Sequence, residues 1–171
     1  MGRLRIQYNA PVVLTFSLLS LAALLLGMAT GERSTWLLFC VYRSPLTDPL
    51  TYVRLFGHVL GHAGYGHFMG NIMLLLGVGP PLEEKYGSRR LLVCIAITAL
   101  VSGLVQVLLF PGAALLGASG IVFMMIVLSS LAGMREGAIP LTLILVVILY
   151  LGGEVVDAVA AQDSVSQLTH I

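Results

Sequence analysis

The segment 88-SRRLLVCIAITALVSGLVQVLLFPG-112 opens with a serine and two arginines, continues with twenty residues that carry no charge, and ends at Pro-Gly. An apolar run of this length is what an α-helix needs to cross a hydrocarbon layer about 30 Å thick. A second run, from Pro11 to Ala29, is similar and is followed by Glu32 and Arg33. The two runs predict transmembrane helices over about 91–110 and 11–29.

The composition of the whole chain agrees with a membrane protein. Of its 171 residues 58% are hydrophobic and 10% are charged, whereas a soluble domain carries about 25% charged residues. The net charge of +1 gives no basic footprint for a phosphate backbone. Two cysteines, Cys40 and Cys94, are too few for a disulfide framework. We therefore expect an all-α, multi-pass membrane protein that binds no nucleic acid and has the lipid bilayer as its surroundings.

Three further apolar segments are shorter or less pure, and they predict helices over about 66–80, 118–133 and 138–152. A short membrane helix is tolerated where its end is buried in protein rather than exposed to lipid. A sixth helix begins at Ser164 and reaches the end of the chain at Ile171. Eight residues cannot span a membrane, so we expect a single membrane domain over 1–171 with a six-helix core whose last helix (164–171) is incomplete. The first run is read as a retained anchor, with a cleavable signal peptide as the alternative.

The long connection over 31–65 contains four aromatic residues among scattered charges: Trp36, Tyr42, Tyr52 and Phe56. Aromatic side chains favour the membrane interface, so one interpretation is an amphipathic structure that lies at the outer interface. A plain extramembrane loop fits the composition equally well.

The distribution of basic residues predicts the orientation. A cytoplasmic N-terminus places six Lys and Arg residues inside, which are Arg3, Arg5, Lys85, Arg89, Arg90 and Arg135. Three basic residues are then outside, which are Arg33, Arg43 and Arg54. Because basic residues accumulate in cytoplasmic loops, we expect a cytoplasmic N-terminus in an integral protein of the bacterial inner membrane.

Polar side chains at membrane depth are costly, and each one suggests a function. His67 and Asn71 are four residues apart and hence on one helix face. His58 and His62 have the same spacing and could hold a metal ion with His67 as third ligand. The alternative is that these histidines are satisfied by backbone carbonyls and water.

The tetrapeptide Gly117-Ala118-Ser119-Gly120 opens the fourth predicted span. Small neighbours leave the Ser119 hydroxyl accessible, and a helix N-terminus offers unpaired N–H groups and a partial positive charge. These features suit a nucleophile beside an oxyanion site, although a serine cap at a close helix contact is the commoner use of such a sequence.

The role of His170 is inferred from its predicted depth in the membrane. With the orientation above, His67, Ser119 and His170 all lie near the outer ends of their spans, which favours catalysis. We assign Ser119 as nucleophile and His170 as general base. The Ser119 N–H, His67 and Asn71 would stabilise the oxyanion. No acidic residue is placed to orient His170, so the sequence predicts a Ser-His dyad that needs no cofactor and no metal.

The ordered combination of motifs resembles the rhomboid family of intramembrane serine proteases. It comprises His58-x3-His62-x4-His67-x3-Asn71, then 82-LEEKYGS-88, then Gly117-Ala118-Ser119-Gly120 and a late His170. The resemblance runs from about Tyr52 to the end of the chain. It implies a six-helix core whose serine opens the fourth helix and whose histidine lies on the sixth, and an enzyme that cuts transmembrane helices of other membrane proteins near the outer face.

The resemblance also implies supporting roles for individual residues. His67 and Asn71 match the oxyanion residues, and Arg54 matches the arginine of the interfacial first loop. Glu83 and Gly87-Ser88 match the cytoplasmic turn after the second helix. Ser102 and Gln106 match polar positions of the family's interior. Gly117 and Gly120 match the glycines beside the serine.

Three positions depart from the family pattern. Val53 stands where a tryptophan is common, which should weaken only the anchoring of the loop. Phe123 stands where a tyrosine often packs on the catalytic histidine, so the ring contact could survive without the hydroxyl. The glycines expected after the histidine do not occur before the end at Ile171, so we expect this polypeptide to depend on a complete sixth helix for activity.

Two rival functions remain at this level. A rhomboid-like pseudoprotease would bind transmembrane helices without cutting them, but the presence of Ser119, His170, His67 and Asn71 together argues against it. A transporter, or a haem- or metal-binding membrane protein, would use His58, His62 and His67, and it gives no reason for Gly117-Ala118-Ser119-Gly120.

Overall fold

Four long helices and a folded loop make up most of what a computed structural model of the protein describes, namely residues 7–132, 139–141, 143–145, 147 and 148. Most of the predicted fifth span, the sixth helix and His170 lie outside these residues. In chain order the elements are α1 (Pro11–Ala29), α2 (Arg33–Leu38), α3 (Pro49–Gly57), a 3₁₀ turn (His58–Leu60), α4 (Tyr65–Tyr86), α5 (Ser88–Leu109) and α6 (Ser119–Ala132).

The predicted all-α class is confirmed. The described ranges contain no strand, only a single antiparallel bridge between Val41 and Leu115. Within those ranges, α1 and α5 are long and apolar enough to cross a membrane, while α6 is apolar but shorter.

By its internal contacts the chain divides into two compact units, residues 1–125 and 126–171. The first unit holds α1 to α5 and the start of α6. In the second, the described residues between 141 and 148 are helical, within the span predicted over 138–152. The organisation of 1–171 as one domain stays a prediction.

Helix α1 coincides with the first apolar run and packs against α4. Pro11 stands in its first turn, where the missing N–H has no partner to lose. One face is buried along the whole helix and is rich in small residues, which allow close packing: Val13, Phe16, Ser17, Ser20, Ala23, Leu24 and Gly27. The opposite face exposes leucines, as a lipid-facing helix should.

Helix α4 is longer than the sequence predicts. The expected span ended at Pro80, but the helix continues through Pro80 and Pro81 to Tyr86. Proline removes hydrogen-bond donors inside a helix, yet the last turn persists because its Glu83 side chain is buried and bonded to α1. The placement of Glu83 in the turn after this helix is therefore wrong. The turn itself is Gly87, whose φ of +84° favours glycine.

The Glu83 carboxylate ties together three helix ends. One oxygen, Oε1, accepts from the Val12 N–H at 2.9 Å and from the Ser88 hydroxyl at 2.7 Å, while Oε2 accepts from the Val13 N–H at 3.0 Å. A carboxylate at this position satisfies free amides of α1 and opposes the positive end of its dipole. We call this end of the first unit, where α1 and α5 begin and α4 ends, the N-terminal face.

The connection between α1 and α4 is folded around Arg54. Its guanidinium donates to the Leu37 carbonyl and the Ser44 hydroxyl, pairs with Asp48 at 3.0 Å, and lies over the Tyr42 ring. Helix α3 thus turns polar side chains inward, and it exposes Tyr52, Val53 and Phe56. This arrangement favours the amphipathic, interfacial interpretation over a plain loop.

Candidate active site

The segment before α6 is held by three backbone hydrogen bonds. Val41 and Leu115 exchange two N–H···O bonds of 2.9 Å, and the Gly117 N–H donates to the His58 carbonyl at 2.9 Å. The folded loop and the 3₁₀ turn therefore determine the position of Ser119 at the start of α6.

Ser119 opens α6 and is half-buried, after the buried pair Gly117 and Ala118. The first N–H groups of a helix have no partner within it and carry partial positive charge. Gly117 has a φ of +131°, and a Cβ there would lie 2.9 Å from both Cε1 and Nε2 of His67. Only glycine fits this position, and it brings the His67 ring against the backbone two residues before Ser119.

His67 lies in the first turn of α4, and its contacts indicate its tautomer. Its Nδ1 accepts from the Ala63 N–H at 3.4 Å, so the proton of the neutral ring is on Nε2. Nε2 is also an atom that faces Gly117. His67 can therefore donate a hydrogen bond toward the start of α6.

Asn71 is buried one turn further along α4. Its Nδ2 donates to the His67 carbonyl at 3.1 Å, so one donor of the amide is used within the helix. The two predicted oxyanion residues share a helix face, and the His67 ring lies against Gly117 in the segment that leads to Ser119.

His58 has a structural role that the sequence did not indicate. It is 1% exposed, and burial lowers its pKa, so the ring is neutral at pH 7. Its Nδ1 is 3.1 Å from the Arg54 carbonyl, which can only accept, so the proton is on Nδ1. Nε2 lies 3.1 Å from the Ser102 hydroxyl, whose single proton can point to this nitrogen or to the Thr98 carbonyl at 2.8 Å. Both nitrogens thus lie next to a polar group, on α3 and α5, and the carbonyl of the same residue holds Gly117.

The expectation that His58 and His62 share a helix face is wrong. Gly61 is extended, with φ −71° and ψ 147°, and it ends the 3₁₀ turn between them. Among the described residues no group of three His, Cys, Asp or Glu side chains could hold a metal ion.

His62 is 2% exposed and lies edge-on to two rings, those of His67 and Phe68, at centroid distances of 5.1 and 5.4 Å. Its Nδ1 donates to the Leu60 carbonyl at 3.1 Å, and its Nε2 has no partner within the described part of the chain. Burial, reinforced by the neighbouring His67, lowers the pKa of His62 to about 4.

Three further predicted site residues lie on α5 and α6. A Cβ at Gly120 would meet Thr98 at 4.0 Å, so Gly120 brings α6 next to α5. Gln106 donates to the Phe110 carbonyl at 3.4 Å, at the end of α5. Phe123 is half-buried on α6. Its expected partner, the predicted base His170, lies outside the described residues, so the dyad and the ring contact stay predictions.

Comparison with known proteins relates the chain to a protein family. Residues 49–171 match the family model of the Rhomboid domain. The chain is 32% identical over 132 residues to the rhomboid protease GlpG of Pectobacterium atrosepticum, covering 76% of this chain and 46% of that protein. It is also 32% identical over 89 residues to the rhomboid-like protease 3 of Toxoplasma gondii, covering 52% of this chain and 34% of that one. The chain spans less than half the length of these curated relatives.

Proposed function

Because the chain belongs to the rhomboid family of integral membrane serine proteases, we propose that it is an intramembrane endopeptidase that uses Ser119 and His170 as a catalytic dyad. The single observation that carries the proposal is the contact of the His67 ring with Gly117, two residues before Ser119. Segments fifty residues apart in sequence thereby bring an imidazole donor to the helix end that holds the candidate nucleophile.

In the proposed reaction the Ser119 hydroxyl attacks the carbonyl carbon of the scissile peptide bond, and its proton passes to the His170 imidazole. The resulting oxyanion is stabilised by the Ser119 N–H, the His67 Nε2–H and the Asn71 amide. When the C–N bond breaks, His170 returns the proton to the leaving amine. Water then hydrolyses the acyl-enzyme, and His170 again takes and returns a proton.

The proposed substrates are transmembrane helices of other membrane proteins, cut near the end of the bundle where α4 and α6 begin. His67 and Ser119 are both at helix starts there, half-buried or exposed, so water can reach them. A helix with small, helix-destabilising residues near that depth could unwind and present its backbone to Ser119. This substrate class rests on the family membership.

The test uses the protein as its gene encodes it, in native membranes, and a fluorophosphonate that forms an Oγ–P bond with activated serines. We expect labelling to fall at least 100-fold in Ser119→Ala and in His170→Ala, because nucleophile and base act as a unit. Ser129→Ala, on the exposed side of the same helix, is the matched control and should label like the wild type. Equal labelling in all four proteins would contradict the dyad, and a wild type that binds helices without labelling would indicate a pseudoprotease.

A further inference from the structure

The ring of His67 is exposed, whereas the proposed reaction needs it in one orientation. A half-turn of an imidazole exchanges Nδ1 with Cδ2 and Nε2 with Cε1, so it would turn the N–H donor away from its present direction. The bond from the Ala63 N–H to Nδ1 distinguishes the two orientations, but at 3.4 Å it exceeds the usual range of about 2.7–3.2 Å. Because a donor contributes to catalysis only when it is held in place beforehand, His67 needs a second restraint.

The ring of His62 is in contact with that of His67. The two rings are edge-on, with their centroids 5.1 Å apart and their planes at 68°. Rings in this arrangement attract each other beyond the effect of burial, so the contact opposes rotation of the His67 side chain. The His62 Nε2 has no partner among the residues that the structure describes. The contact between the two histidines is therefore one of rings rather than a hydrogen bond.

The side chain of His62 is itself fixed on several sides. It is 2% exposed, and its Nδ1 donates to the Leu60 carbonyl at 3.1 Å. Its ring also lies edge-on to that of Phe68, at a centroid distance of 5.4 Å. Phe68 in turn belongs to a buried cluster with Leu24 of α1 and Ile72 of α4. The ring that His67 contacts is thus connected to the core of the first unit.

The backbone beside His62 is fixed as well. Gly61 passes so close to Phe39 that a Cβ at Gly61 would collide with the Phe39 carbonyl. The Gly61 N–H donates to the His58 carbonyl at 3.1 Å, and the same carbonyl accepts from the Gly117 N–H at 2.9 Å. One oxygen atom therefore holds both the backbone that carries the His62 ring and the backbone that His67 faces.

We propose that His62 is a positioning residue, whose ring holds the His67 imidazole with its Nε2–H directed toward the start of α6. The catalytic consequence rests on the proposed function, in which His67 donates to the oxyanion. The orientation of the His67 ring, in contrast, is a property of the folded protein and can be measured without any reaction.

Two substitutions separate the ring of His62 from its hydrogen bond. His62→Phe keeps a ring beside His67 and removes the donor to Leu60, whereas His62→Asn keeps an N–H donor and removes the ring. The measured quantities are kinact and KI for the fluorophosphonate, which forms an Oγ–P bond and releases fluoride. We expect kinact to fall at least about 5-fold in His62→Asn and to stay within about 2-fold of wild type in His62→Phe, with KI unchanged. His62→Leu, a second variant without the ring, should behave like His62→Asn.

A double substitution tests whether His62 acts through His67. Removal of an oxyanion donor costs about 100- to 1000-fold, so His67→Ala should have the lower kinact. His62→Asn/His67→Ala should then lie within about 2-fold of His67→Ala, because no donor remains to be positioned. Phe16→Leu, which removes a buried ring of α1 beside the start of α5, is the control for lost packing and should keep the wild-type kinact.

Three kinetic results would overturn the proposal. They are a wild-type kinact in His62→Asn, the same loss in His62→Phe as in His62→Asn, and a loss from His62→Asn that is equally large with and without His67. The last result would mean that the substitution acts through general stability.

Nitrogen-15 NMR of the full chain in detergent, labelled at its four histidines, reads the tautomer of His67 directly, and His67→Ala assigns its signals. We expect the Nε2–H tautomer alone in wild type and in His62→Phe, and a mixture with the Nδ1–H tautomer in His62→Asn. An unchanged tautomer in His62→Asn would overturn the proposal. A wild type that is not labelled by the fluorophosphonate, but whose His67 tautomer responds to His62→Asn, would contradict the proposed function and leave the positioning role supported.

Discussion

At the scale of single residues, the geometry of the candidate site depends on Gly117 having no side chain. Its φ of +131° is a region that side chains disfavour, and its Cα hydrogen occupies the space where a methyl group would meet His67. The Gly117→Ala substitution should therefore displace His67 from the start of α6. We expect at least a 10-fold loss of serine labelling and a loss of about 1–3 kcal/mol in unfolding free energy.

The control for that substitution is Gly112→Ala in the loop before the site. Gly112 is exposed, lies outside the positive-φ region, and has open space around its Cβ position. Labelling and thermal midpoint should stay near wild type. If Gly117→Ala behaves like Gly112→Ala in both measurements, then the close contact with His67 has no part in the site.

His62 gives a pH dependence with a definite sign. Its pKa in the folded protein is about 4, whereas an unfolded histidine has a pKa near 6.5. Between these values the unfolded chain binds the extra proton, so stability is full above about pH 6.5 and falls as the pH is lowered toward 4. At about 1.4 kcal/mol per unit, the loss reaches roughly 3 kcal/mol.

We expect the thermal midpoint of the wild type in detergent to fall between pH 7.5 and pH 5. His62→Phe, which keeps a ring against Phe68 without a titrating group, should fall distinctly less over the same range. His58 leaves both proteins some dependence in the same direction, because its pKa is also lowered. Parallel curves for the two proteins would exclude His62 as the cause.

Sequence reasoning reached some of these residues and missed others for a physical reason. His67, Asn71, Ser119 and the glycines can be recognised in the sequence because they stand at fixed spacings along the chain. The role of His58 depends on Ser102, forty-four residues away, and on the carbonyl that receives Gly117. No local pattern encodes a hydrogen bond across three elements, and the helical spacing of His58 and His62 was misleading because Gly61 breaks the turn.

At the scale of elements, the end of α4 shows how one buried carboxylate prolongs a helix beyond two prolines. Apolar periodicity ends at Pro80, so hydropathy alone ends the helix there. The bonds from Glu83 to the first amides of α1 and to Ser88 are long-range. They make the last turn of α4 part of the core. For α1 the sequence was sufficient, because the bounds of that helix follow from its apolar run and its N-terminal proline.

The Glu83→Gln substitution tests this role. A glutamine keeps one acceptor but turns an N–H₂ group toward amides that need acceptors, and it removes the charge that opposes the α1 dipole. We expect a loss of about 1–3 kcal/mol in unfolding free energy, seen as a lower thermal midpoint. Glu84→Gln removes the same charge at the next, exposed position and should change stability by less than about 0.5 kcal/mol. Equal midpoints for both variants would contradict a capping role for Glu83.

At the scale of the whole molecule, the distribution of charge agrees with the packing of the helix ends. Lys85, Arg89 and Arg90 all lie at the N-terminal face, where Glu83 joins α1, α4 and α5. Among the basic residues between α1 and α4, Arg54 is buried and paired with Asp48. The N-terminal face thus has three exposed basic residues, whereas Arg33 and Arg43 are the exposed basic residues of the described connection between α1 and α4. This difference agrees with the prediction that the N-terminal face is cytoplasmic and that His67 and Ser119 are at the outer side.

Cysteine labelling on intact cells tests this orientation without changing any basic residue. In a Cys40→Ala/Cys94→Ala background, Leu46→Cys reports the exposed loop before α3, and Glu84→Cys reports the N-terminal face. We expect a membrane-impermeant maleimide to label Leu46→Cys in intact cells and Glu84→Cys only after permeabilisation. The reverse pattern would place the Ser119 end of the bundle in the cytoplasm. A substrate helix would then have to be cut at its cytoplasmic end, because the contact between His67 and Gly117 is at the opposite end of α4 from Glu83.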